Sequence, residues 1–223
     1  MKYIFSIIIL FQSTVYSSPP LKEKDIESFI EARYSGDTST VNLMIDENFQ
    51  FYHIPYIGLG VDAHYVDGSL LISSVVNDSI QDLLVAGDRI FELNGKVVDS
   101  TGLKTLGPVG EEQQLIINKK NDSTFTELKI PLKQFQYIED RTSFLKSIDD
   151  YSNTWYDFDI EIIDLFLKKN KAVIHYYWEG SKEEEGSIYS FTAIEIITLN
   201  KKKNFIERIE GLWSEKQFRD QFK

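Results

Sequence analysis

The chain has no cysteine. That absence excludes a disulfide framework, a thiol nucleophile, a thiolate metal site and a lipid carried on a processed cysteine, so the fold must stand on packing alone. Histidine is nearly as scarce: His53, His64 and His175 lie far apart and lack metal-ligand spacing, so neither a metal nor a cofactor is expected. No G-x-S-x-G elbow occurs, and Ser143-Phe144-Leu145-Lys146 matches S-x-x-K without its partner motifs and reads as a capped helix start. Positive charge is short as well. The 24 Lys and Arg face 35 Asp and Glu for a net charge of −11, which argues against nucleic acid or an anionic membrane surface, because bound phosphates demand clustered cations. The runs Lys201-Lys202-Lys203, Asp149-Asp150 and Glu183-Glu184-Glu185 read as solvated turns.

Long hydrophobic runs are missing except at the start, where Lys2 precedes an apolar stretch over residues 4–11 and a small, polar stretch over 12–18. This order predicts a signal peptide over residues 1–17, with the mature chain opening near Ser18 in a secreted or periplasmic location; an uncleaved N-terminal anchor is the alternative. No later segment is long and apolar enough to span a membrane. Asn77 and Asn121 open Asn-x-Ser triplets that matter only in a eukaryotic source.

What is present suffices for real cores: 42% of residues are hydrophobic and 13% aromatic. Ile26, Phe29, Ile30 and Tyr34 recur at helical spacing and Ser35-Gly36-Asp37 closes the pattern, predicting a helix over 25–34, then a helical turn over 39–44 and a strand around Phe49, Phe51 and His53. Closely spaced glycines and the turn dipeptides Asp67-Gly68 and Asn94-Gly95 follow, predicting strands over 60–65, 69–75, 89–93, 114–118 and 125–132. Beyond Tyr137 the pattern predicts a helix over 143–151 and strands over 159–167, 172–179, 189–199 and 205–212. Ser214-Glu215-Lys216-Gln217 then matches a capping box before a terminal helix.

Gly58-Leu59-Gly60-Val61, the helix position at 79–84, Ala86-Gly87-Asp88-Arg89-Ile90 and Asn94-Gly95-Lys96-Val97-Val98 stand in an order that resembles PDZ domains of exported proteases. The resemblance implies a loop whose backbone N–H groups receive a peptide carboxylate beside an open strand edge, with Gly58, Leu59, Gly60, Val61, Leu103 and Leu106 as peptide-binding residues. Only residues 100–107 are available for the second helix of that groove, fewer than the family uses. The flanks resemble the nuclear transport factor two-like or SnoaL-like fold through GDTSTVNLMIDENFQFYH at the front and IHYYWEG, FTAIEIITL and NFIERIEGLWSEKQF at the back. The fold class expected is α+β: a PDZ-like domain over 57–135, inserted in or followed by a cone-shaped curved antiparallel sheet with helices, built from 18–56 and 136–223.

The aromatic set Trp155, Tyr176, Tyr177, Trp178 and Trp213 reads first as core. The second resemblance implies a cavity, for which His53, Trp155, His175, Glu195 and Arg208 are candidates, although the parity around Glu195 is ambiguous and no catalytic residue is carried over. The expected function is a non-catalytic exported adaptor that grips a protein C-terminus or extended peptide, with the cone holding a small apolar ligand or forming a homodimer. The alternatives are a ketosteroid-isomerase-like or SnoaL-like enzyme with the PDZ-like unit as accessory, and a purely structural assembly protein.

Overall fold

Two helices and a strand open the structure, a computed structural model that describes residues 19–77, 79–120, 122 and 124–213. The expected signal peptide and terminal helix lie outside those residues. Helix α1 (Glu23–Ser35) forms where Ile26, Phe29, Ile30 and Arg33 share one face, and it ends at Gly36, whose φ of 78° suits a left-handed cap. Helix α2 (Thr38–Met44) starts on the Asp37 side chain, which accepts from Thr40 N, and runs directly into β1 (Ile45–Tyr52).

The chain then leaves this layer. Strand β2 (Tyr56–Gly58) pairs with β9 (Lys133–Phe135) as a two-stranded neck, and between them β3 (Val61–Val66), β4 (Ser69–Val75), β5 (Arg89–Leu93), β6 (Lys96–Val97), β7 (Glu112–Asn118) and β8 (Phe125–Pro131) form a second sheet. Its strand order is β3-β4-β5-β7-β8 with β6 paired to β5, and its core is aliphatic: Leu70, Ile72, Ile90, Leu115, Ile117 and Ile130 are buried. Asn94 and Gly95 both have positive φ in the tight turn between β5 and β6, as expected of an Asn-Gly pair.

The chain returns through β10 (Ile138–Asp140) into α3 (Arg141–Ser152), capped by Asp140, and then into β11 (Asp157–Lys168), β12 (Lys171–Ser181), β13 (Ile188–Leu199) and β14 (Ile206–Trp213). The six-stranded order β10-β1-β14-β13-β12-β11 unites residues from both ends of the chain, with β1 parallel to β14 and the other pairs antiparallel. The result is mixed α+β with a curved, unclosed sheet and few helices. Along β12 and β13, Ile174, Tyr176, Trp178, Phe191, Ala193 and Ile197 turn toward the helices and join Ile26, Phe29 and Ile30 in one core. No helix among the described residues is long and apolar enough to cross a membrane.

The PDZ resemblance does not carry through. Residues 79–84 form turns anchored by Ile80 N and Gln81 N on Asn77 O, not a helix, and no helix occurs over 99–111. Gly102 and Gly107, with φ of 81° and 141°, and Pro108 interrupt every turn that a helix there would need.

Candidate functional site

Where β1 ends, His53 stays beside β10: its N–H donates to Tyr137 O and its carbonyl accepts from Gln136 Nε2. Phe51 pairs with Glu139 across the two strands. Glu139, the last residue before the Asp140 cap, lies between His53 and the first turns of α3. His53 Nε2 is 2.6 Å from Glu139 Oε1, and Ser147 Oγ donates to Glu139 Oε2 at 2.9 Å. The carboxylate thus assigns the imidazole proton to Nε2 and leaves Nδ1 as a base, with no partner for it among the described residues.

His53 lines a cleft of about 960 Å³ between the neck, the β3 edge of the second sheet and the end of β1. The same cleft is lined by Tyr137, Tyr56, Asp62, Ser74 and Thr105, with no Lys or Arg among the described residues. The Tyr137 ring centroid is 5.1 Å from that of His53, and its phenol is raised above the ordinary tyrosine range by partial desolvation first and then by Glu139 and Asp62. A base and a phenol that keeps its proton therefore share one wall.

Of the residues expected to hold a peptide, Gly58, Leu59, Gly60, Val61 and Leu103 line this cleft, whereas Leu106 does not and is 86% exposed. The Gly58–Val61 loop has its own structural duties. Leu59 O accepts from the buried Gln81 side chain, Gly60 O accepts from Val76 N, and at Gly60, where φ is 68°, a Cβ would come within 2.2 Å of the Phe135 ring.

The five cavity candidates separate. Glu195 turns into the curved sheet, where Arg33 binds it in a fork at 2.8 and 3.0 Å and Tyr176 donates to it at 3.0 Å. Arg33 also donates to the Tyr34 and Tyr176 hydroxyls at 2.9 and 2.8 Å. Burial is the largest influence on Arg33 and works to lower its pKa, but the Glu195 carboxylate, Tyr34 and Tyr176 together outweigh it and the guanidinium ends above its ordinary value. Burial and then Glu195 raise the Tyr176 phenol. Trp155 joins the same interior, its ring centroid 4.7 Å from that of Trp178. The interior of the curved sheet is accordingly occupied: Tyr176 and Trp178 are fully buried, and Trp178 stacks on Phe191 at 5.2 Å.

His175 and Arg208 are corrected: both lie on the outer face, His175 with Nδ1 3.8 Å from Asp164 and Arg208 over the Tyr52 ring beside Glu210. Alternation decides this, since Ile174 and Tyr176 on either side of His175 take the core. Glu139 and Arg33 were not anticipated. Arg33 had a readable signal, because it continues the 26, 29, 30 spacing of the apolar face; Glu139 had none, because only the β1–β10 pairing brings it to His53.

No protein-family model matches the chain, and no curated protein matches it. Solved structures do. One is a Shewanella putrefaciens chain assigned as a SnoaL-like polyketide cyclase, with 9% identity, a TM-score of 0.44, and coverage of 99% of this chain and 97% of that one. An NTF2-like protein of unknown function from Cytophaga hutchinsonii has 9% identity and a TM-score of 0.42, covering 93% and 99%. AusH from Aspergillus nidulans has 8% identity and a TM-score of 0.44, covering 88% of each. Identities this low speak to fold alone. The expectation of a non-catalytic peptide adaptor is corrected: the described residues lack the helix that would close a peptide groove, and the similar structures include chains described as SnoaL-like and NTF2-like.

Proposed function

We propose that this chain is a SnoaL-like protein that binds a small, uncharged organic molecule in the cleft beside His53 and moves a proton on it. The observation that carries the reading is the Ser147–Glu139–His53 chain of hydrogen bonds, which ends at a residue lining the cleft whose imidazole Nδ1 has no partner among the described residues. Glu139 orients the ring and stabilises the imidazolium that forms when Nδ1 takes a proton from carbon, while the Tyr137 hydroxyl is available to donate to the oxygen on which charge develops. The described lining holds Asp62 and no Lys or Arg, which disfavours an anionic ligand. The filled interior of the curved sheet, with Glu195 engaged by Arg33, leaves the cleft as the better-placed site.

The test follows exchange of solvent deuterium into a panel of neutral ketones, lactones and β-keto esters by NMR, with binding followed on the same samples. Wild-type exchange that falls by about 100-fold or more in His53→Gln and Glu139→Gln, on the usual scale of general-base catalysis, supports the reading. Binding without exchange reduces it to a carrier; neither binding nor exchange across the panel overturns it.

A further inference from the structure

The walls of the His53 cleft belong to two bodies with separate cores. The hydrophobic core of the curved layer draws on residues 21–51 and 144–209, that of the second sheet on residues 59–132, and the two share no side chain. Among the described residues, no strand of the second sheet packs broadly against a helix or strand of the curved layer. The chain crosses between the bodies twice, through residues 53–55 and 136–137, both outside any helix or strand. Two hydrogen bonds tie the crossings to each other: His53 N donates to Tyr137 O at 3.1 Å, and Gln136 Nε2 donates to His53 O at 2.9 Å.

The neck goes with the second sheet. The Phe135 ring is packed so closely on Gly60 that a Cβ there would come within 2.2 Å of it, and Lys133 Nζ donates to Ile80 O. β2 and β9 are therefore fixed to the body beyond them, and the freedom between the bodies is concentrated at 53–55 and 136–137. Hinges are built in this way, from a few residues at the ends of elements that absorb the backbone change.

The cleft at this pivot leaves apolar surface in water. Tyr56, Ile57 and Tyr137 line it and are 38%, 45% and 47% exposed, and the His53 side chain is 32% exposed. Covering such surface is favourable, and proton transfer from carbon gains from the exclusion of water. Asp62, Ser74 and Thr105 reach the cleft from the second sheet, whereas His53 and Tyr137 belong to the crossings.

We infer that the second sheet is a hinged cover that swings about residues 53–55 and 136–137 and closes over a ligand in the cleft. The use of this motion rests on the cleft being the site proposed above; the motion itself does not. Because His53 and Tyr137 sit on the pivot, closing also sets the base and the phenol relative to the ligand that the cover holds.

The chain has no cysteine, so introduced cysteine pairs carry spin labels without background. Gln50→Cys on β1 with His64→Cys on β3 puts exposed labels on the two bodies, and Gln50→Cys with Lys168→Cys keeps both on the curved sheet as a reference. In the ligand-free full chain, pulsed electron spin resonance is expected to give a broader distance distribution for the first pair than for the second. Sucrose, which is excluded from protein surfaces, should move the first pair toward shorter distances and leave the second in place. Ile57→Ser, which removes apolar surface from the cleft, should shrink that movement. A first pair as narrow as the reference, or one that sucrose leaves in place, overturns the inference, and so does a movement indifferent to Ile57→Ser. These readouts need neither ligand nor proton transfer. Absent deuterium exchange would therefore sink the reaction proposed above and leave the hinge standing, while an immobile second sheet would do the reverse.

Discussion

The two sheets of this protein solve the same packing problem with different materials. The curved sheet fills its interior with large rings and a buried ion pair: Tyr176, Trp178 and Phe49 are essentially inaccessible, and Arg33 and Glu195 are locked together among them. The hydrophobic core of the second sheet is aliphatic, with side chains of modest size such as Leu70, Ile90 and Leu115, while Gln81, Asp88 and Gln113 are buried around it and Phe125 and Tyr65 stay at its surface. One core is aromatic with an ion pair at its centre; the other is aliphatic, with buried polar groups such as Asp88 and Gln81 holding the turns beside it. The candidate site belongs to neither interior but to the seam between them, where a strand end, a neck and a sheet edge leave room. Space for a ligand is therefore found where the two packing schemes meet.

The sharpest way to break the comparison is to remove one half of the buried ion pair. Glu195→Ala leaves the Arg33 guanidinium without its counter-charge inside the core, at a cost of about 3–5 kcal/mol. All three tryptophans, Trp155, Trp178 and Trp213, belong to the curved sheet or its approach, so urea unfolding followed by tryptophan fluorescence should report this loss directly. An unshifted midpoint would mean that the pair contributes nothing. Ile90→Ala, in the aliphatic core, should cost about 2–5 kcal/mol, and because no tryptophan lies in the second sheet, the loss should show in far-UV circular dichroism ahead of fluorescence. Coincident shifts in both signals would show that the two sheets unfold as one unit.

A smaller effect separates two kinds of glycine within the second sheet. Gly60→Ala forces a Cβ against the Phe135 ring, while Gly95→Ala meets nothing within 4 Å, though both have positive φ. Gly95→Ala should show only the backbone cost of about 1–2 kcal/mol, and Gly60→Ala should exceed it in a thermal melt. The smallest effect is on the helices of the curved layer. Hydrogen bonds from the Ser143 backbone and side chain hold the Asp140 carboxyl below the usual aspartate range, and Thr40 does the same to Asp37, its side chain first. A carboxyl depressed in the folded state adds stability above its unfolded pKa and loses it as pH falls through its folded value. The wild type should therefore lose melting temperature slightly in that acid range, and Asp140→Asn, which keeps a capping oxygen but does not titrate, should lose less.

Local signals were legible wherever one element decides its own form. The helix at Ile26, Phe29 and Ile30, the four long strands after Thr154 and the Asn94-Gly95 turn all follow from spacing and turn chemistry, and the structure has them within a few residues. The helix expected over 79–84 failed because an order of motifs borrowed from another fold was allowed to stand for local propensity, while Asn77 offered turn hydrogen bonds that hold the backbone instead. Leu106 failed in the same way, as part of a groove wall that is not built.

By itself the sequence determined the absence of thiol chemistry, the acidic balance, the class of the fold and the faces of its regular elements, because composition and periodicity act within single segments. Tertiary structure alone decided that Glu195 finds Arg33 across 162 positions and that Glu139 reaches His53 across 86. Those contacts depend on strand order and register, which are set by how whole layers bury their apolar faces and cannot be read from any one window of residues.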